Sequence, residues 1–164
     1  MDDESLKKRK LKFTIIWFTI ASVLIIVFSF VFYNLFSKWH KDAQEKEFNT
    51  ALTNIKNNLL VNSSGVHYDF DISGHTVKIK LWQEGMAEAA MQAENGNDTA
   101  LSNWTELKGS MYELSCAYYK QFILVDDAVI YLSLVNEYNT DRELLTFKDR
   151  ELIYDVVTGY KAGG

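Results

Sequence analysis

The sequence predicts an α+β domain behind a single N-terminal transmembrane helix, with helices packed on an antiparallel sheet in the order α-ββ-αα-βββ. Three observations predict it. Phe13 to Ser37 is a long uncharged run. Val66 to Leu81 alternates apolar and polar residues around a Ser-Gly pair. Leu101, Trp104, Leu107, Met111, Leu114 and Tyr118 recur three and four apart.

The uncharged run holds Ile15, Ile16, Ile20, Val23, Leu24, Ile25, Ile26, Val27, Phe28, Phe30, Val31, Phe32 and Leu35. At about 1.5 Å per residue it makes about 37 Å of helix, more than the roughly 30 Å hydrocarbon core of a bilayer. A cleaved signal peptide has a shorter apolar core and small residues at its cleavage site. Here the run closes on Phe32-Tyr33-Asn34-Leu35-Phe36, so residues 13–37 read as an uncleaved anchor. Trp17 and Trp39 sit near its two ends, as interfacial aromatics do.

Charge sets the orientation. Lys7, Lys8, Arg9, Lys10 and Lys12 precede the run, whereas Lys38, Lys41 and Lys46 after it are mixed with Asp42, Glu45 and Glu47. The positive-inside rule places the basic leader, 1–12, in the cytoplasm and everything after the span outside the cell membrane. From Lys38 onward 12 basic residues face 19 acidic ones, a net of −7. An acidic surface repels phosphate backbones, which excludes nucleic acid as the expected partner. Cys116 is the only cysteine, so the domain forms no internal disulfide and relies on its core.

Residues 38–60 read as a stalk or first helix, with Phe48, Leu52, Ile55 and Leu59 at helical spacing. The segment falls short of the roughly three heptads that specify a coiled coil, so it offers a homo-oligomer only a short seam. The extracytoplasmic domain then spans 61–157. A Ser73-Gly74 turn would pair Phe70 with Val77, Tyr68 with Ile79 and Val66 with Leu81 on one face. It would set Asp69 opposite Lys78 and His67 opposite Lys80 on the other. Met86 to Glu94 and Thr99 to Phe122 read as helices, separated by Asn95-Gly96-Asn97-Asp98. Asp126-Asp127 reads as a turn and Ala128 to Asn136 as a central strand. Glu137 to Arg142 reads as a polar loop. Leu144 to Phe147 and Glu151 to Val157 form a second hairpin, and 158–164 is a flexible tail.

His67, Asp69 and Asp71 share one strand face, with His75 beyond the turn, and imidazole plus carboxylate suits a divalent metal. Lys78 and Lys80 opposite them would repel a cation, so the solvated-face reading is preferred and no metal or other cofactor is expected. Asp126 and Asp127 are neighbours pointing apart, and nothing in the sequence brings His40, His67 or His75 to Cys116. No Gly-rich phosphate loop or Cys-x-x-Cys pair occurs. No catalytic residue is therefore assigned. Asn62, Asn97 and Asn103 match the glycosylation pattern, which matters only in a eukaryotic host. Trp82, Tyr119 and Trp39 fall outside the apolar stripes and are the candidate partner-binding residues.

The expected function is that of a membrane-anchored, non-enzymatic interaction domain, acting on another envelope protein or on passage across the membrane. Its basic leader, one anchor and one small outer domain resemble in architecture the prophage-encoded proteins of superinfection exclusion. An accessory subunit of a secretion or conjugation machine is the first alternative, and a membrane-tethered hydrolase the second.

Overall fold

The structure, a computed structural model, describes residues 3–62 and 65–163; the side chains of 3–21, 23 and 62 fall outside that description. The chain divides into two compact units, Met1–Ala43 and Gln44–Gly164.

Helix α1 runs from Asp3 to Asn62. In the first unit every described large apolar side chain from Leu24 to Phe36 is exposed. The sequence-predicted span, 13–37, lies in this helix, and the side chains of 13–21 and 23 are outside the described residues. Among the described residues no helix is long and apolar enough to cross a membrane.

In the second unit α1 changes character. Phe48, Ala51, Leu52, Ile55 and Leu59 are buried, a stripe that faces the sheet. Six strands follow in spatial order β1 to β6: β1 (His67–Ser73), β2 (Thr76–Trp82), β3 (Val129–Asn136), β4 (Asn139–Lys148), β5 (Glu151–Asp155) and β6 (Tyr160–Lys161). Between β2 and β3 lie α2 (Met86–Glu94) and α3 (Asp98–Gln121). Val77, Ile79 and Leu81 of β2, Ile130, Leu132 and Leu134 of β3, and Leu145 and Phe147 of β4 form one buried cluster with the three helices. The helices therefore cover one face, and β3 is internal, as its apolar run predicts.

The class is α+β as expected, but the sheet is mixed. Strand β2 pairs with β3 in parallel, Val77 beside Ile130 and Ile79 beside Leu132. A two-helix connection is long enough to return the chain to the starting end, so parallel pairing costs no tight turn. The sequence expectation of a wholly antiparallel sheet is corrected on this point.

The β1–β2 register is also corrected. The turn is Gly74-His75, so Asp71 faces Lys78, Asp69 faces Lys80 and His67 faces Trp82. Gly74 has φ +56° at the first central position, the conformation a type II′ turn demands of glycine. The shift from the expected register is two residues and preserves every face.

Three further corrections concern the segment after β3, the tail and the buried stripe of α3. Glu137–Arg142 is not a loop, because β4 begins at Asn139. Glu137 itself accepts from the backbone N–H of Gly85 (3.0 Å) and Ala87 (2.9 Å), capping α2 where Gly85 supplies no side chain. In the tail, β6 pairs Tyr160 with Asp155 and Lys161 with Tyr154, so 158–164 is not simply frayed. On α3, Leu101 is at the surface while Ala100 and Ser115 join Trp104, Met111 and Tyr118 inside.

Candidate binding face

The sheet face away from the helices gathers most of the sequence-predicted candidates. Alternation on β1 puts His67, Asp69 and Asp71 there, and alternation on β2 puts Lys78, Lys80 and Trp82 beside them. Strand pairing extends these into cross-strand rows. One row runs Asp71, Lys78, Tyr131, Lys148, Glu151, and another runs Asp69, Lys80, Ser133, Thr146, Tyr154, Lys161.

Trp82 is half-buried, and its ring stacks on His67 with centroids 5.8 Å apart at 20°. Lys78 pairs with Asp71 at 3.7 Å, and Lys80 donates to Asp141 at 3.2 Å. Lys148 lies 5.8 Å from the centre of the Tyr131 ring. The middle of the face is recessed. Thr146, 1% exposed, donates to Ser133 (3.1 Å), and Ser133, 4% exposed, donates to Glu143 (3.2 Å). These two hydroxyls are spent on each other and on a carboxylate, so this chain braces β3 against β4 instead of presenting an open nucleophile. Among the described residues every buried side-chain polar atom has a partner.

The metal candidates do not converge. His67 is held against Trp82, Asp69 accepts from the N–H of Phe70 (2.8 Å), and Asp71 faces Lys78. Among the described residues no group of three or more His, Cys, Asp or Glu side chains could hold a metal ion. His75 packs instead on Phe48, at 5.3 Å between rings, with Nδ1 3.1 Å from the carbonyl oxygen of Asp126. Cys116 lies one helical turn from Tyr112, whose phenol pKa is pushed up first by hydrogen bonding to Cys116.

The three candidate contact aromatics occupy different surroundings. Tyr119 on α3 is half-buried beneath Arg150, whose guanidinium lies 4.4 Å from the ring centre. That stacking accounts for its place off the apolar stripe. Trp39 belongs to the first unit, is 66% exposed, and touches Phe36 with ring centroids 6.1 Å apart. Asn97, one of the glycosylation matches, caps α3 by accepting from Ala100 N–H (3.0 Å).

Sequence reasoning passed over one titratable site. Asp155 on β5 is 0% exposed and lies beneath α3. Trp104 Nε1 donates to its Oδ1 (3.0 Å), Lys108 Nζ to its Oδ2 (3.1 Å), and Val157 N–H to Oδ1 (3.1 Å). Burial pushes the carboxyl pKa up, but donation from Trp104, Lys108 and Thr158 outweighs it and holds the pKa below the ordinary value. The signal was an aspartate inside the apolar run Leu152-Ile153-Tyr154-Asp155-Val156, matched by Trp104 and Lys108 four apart on a helix.

Compared with known proteins, the chain matches no family model, no curated sequence and no solved structure.

Proposed function

We propose that the chain is a membrane-anchored binding module. Residues 13–37 cross the cell membrane with the N-terminus in the cytoplasm. The α+β domain works outside, on another envelope protein or on passage across the membrane, through the open face of its sheet. Superinfection exclusion is the specific form this takes in the proposal, and no step of chemistry is part of it.

One observation carries the reading: from Leu24 to Phe36 the described large apolar side chains of α1 are all exposed, from Val31 at 48% to Phe28 at 74%. A helix apolar on every side has no stable place in water and needs a hydrocarbon surround. Tethering then raises the local concentration of the domain toward a membrane partner, so modest affinity suffices. The Trp82–His67 stack supplies the aromatic centre of a contact patch, and Lys78 and Lys80 beside it suit the polar rim of one.

Affinity capture of the full chain from detergent-solubilised membranes of its host tests the proposal. One envelope protein should be retained by the native chain and lost with Trp82→Ala. A blocking protein should also act alone when expressed in a sensitive host. Recovery of many machine components in fixed stoichiometry would instead favour the accessory-subunit alternative.

A further inference from the structure

Two large aliphatic side chains stand exposed side by side at the C-terminal end of α3. Ile123 is 69% exposed and Leu124 is 67% exposed, while Phe122 and Val125 on either side are buried at 2% and 7%. Phe122 closes α3 by donating to Tyr119 O (3.1 Å), and Val125 N–H donates to Phe122 O (2.9 Å). The turn is thus pinned at both ends, with its two middle side chains held outward.

Its position in the domain is equally constrained. The Phe122 ring packs on Phe48 of α1, with centroids 5.4 Å apart. Asp126 N–H donates to Gln44 Oε1 at 2.6 Å, and the β1–β2 turn joins through His75. Gln44 is the first residue of the domain unit and lies seven residues after Ser37, the end of the uncharged run. Seven residues reach at most about 25 Å even fully extended. The Ile123-Leu124 tip therefore lies at the end of the domain where the chain arrives from the apolar segment.

We propose that this tip is a second membrane contact: Ile123 and Leu124 dip into the interfacial region of the bilayer and hold the domain at a fixed orientation on it. The inference rests on the membrane-anchor reading. The occupant is lipid, because the tether confines this end to the bilayer surface and two adjacent aliphatics suit its apolar boundary. Asp126 and Asp127, both exposed beside the tip, give anionic headgroups no attraction, so a zwitterionic bilayer serves.

The test uses the full chain carrying Cys116→Ala, with a single cysteine at Leu124→Cys bearing an environment-sensitive fluorophore, in phosphatidylcholine vesicles. Lipids spin-labelled near the headgroup should quench that probe at least twofold more than the same probe at Tyr138→Cys, which replaces a residue 83% exposed at the β3–β4 turn. Raising salt should leave the difference unchanged. Equal quenching at both sites, with the chain resistant to alkaline extraction, would overturn the tip contact alone. A blue shift without lipid quenching that grows with protein concentration would assign the tip to a second copy and overturn it as well. Release of the chain by alkaline extraction would overturn the anchor itself, and the inference with it.

Discussion

Trp104 and Asp155 are joined by an indole N–H to carboxylate bond of 3.0 Å that ties the N-terminal part of α3 to strand β5 beneath it. Trp104 is 3% exposed and Asp155 is 0% exposed. The second carboxylate oxygen takes Lys108 at 3.1 Å, whose own side chain keeps 31% of its surface in water. A buried carboxylate is costly unless its lone pairs are filled, and here α3 supplies two donors four residues apart on one face.

Stability of the fragment 38–164 should therefore fall in acid. The folded-state pKa of Asp155 lies below its ordinary value, near 3.9 in an unfolded chain. The stabilisation is fully present above the unfolded pKa and is lost as pH falls through the folded one. Asp155→Asn should lower stability at pH 7 by about 1–3 kcal/mol and flatten the dependence below pH 4. Trp104→Ala should cost about 3–5 kcal/mol by loss of a buried aromatic. Urea melts at pH 7 and pH 3 check both, and an unchanged acid slope in Asp155→Asn would remove Asp155 as its source.

A separate test addresses the β4–β5 turn. Asp149 and Arg150 have φ of 47° and 80°, values that non-glycine residues seldom adopt. Asp149 is held by reciprocal bonds to one residue: its N–H donates to Ile130 O (2.9 Å) and its Oδ1 accepts from Ile130 N–H (2.8 Å). Asp149→Ala leaves that N–H without its acceptor and should cost about 1–3 kcal/mol. Asp149→Asn retains an acceptor and tolerates the left-handed conformation, so it should restore most of the loss. Thermal unfolding of the three fragments decides it.

The faces of the sheet were legible in the sequence, and the pairing between strands was not. Alternation put His67, Asp69, Asp71 and Trp82 on one side correctly, because a period of two says which face a residue takes. A slip of two residues leaves that pattern untouched, so only the left-handed Gly74 and the docking of His75 on Phe48 distinguish the two registers. Polar Asn139 to Arg142, within the expected loop Glu137 to Arg142, suggested a loop because the start of β4 is largely exposed, and exposure selects polar residues in strands as well. Tyr131, Ser133, Thr146 and Lys148 could not be assigned to the same site, since nothing local shows that β3 lies beside β2.

A reporter active only outside the cytoplasm, fused after Gly164, should be active. Neutral residues in place of Lys7, Lys8, Arg9, Lys10 and Lys12 should give mixed orientations, because the K/R bias across the span sets the insertion. Protease protection in inverted vesicles reads the same quantity. A fusion active only in the cytoplasm would place the domain inside and end the envelope-partner reading.

The open sheet face should carry the binding energy, and Trp82 should carry the largest share. Its ring is half-buried against His67, so removal takes away contact area while leaving the helix-side core intact. Trp82→Ala should weaken partner capture by at least about tenfold, the scale of a hot-spot residue, and shift the melting temperature little. His67→Ala should give a smaller loss, because it removes the ring that orients Trp82 and not the contact itself. Changes at Cys116, Asp126 or Asp127, which lie off this face, should leave capture and biological activity largely intact. Asp69→Asn and Asp71→Asn remove charge at the rim and should alter salt dependence more than affinity. Binding titrations paired with melts separate these outcomes. Loss of activity from Cys116→Ala or Asp127→Asn with an unchanged melt would move the function away from the sheet face, toward chemistry at that residue.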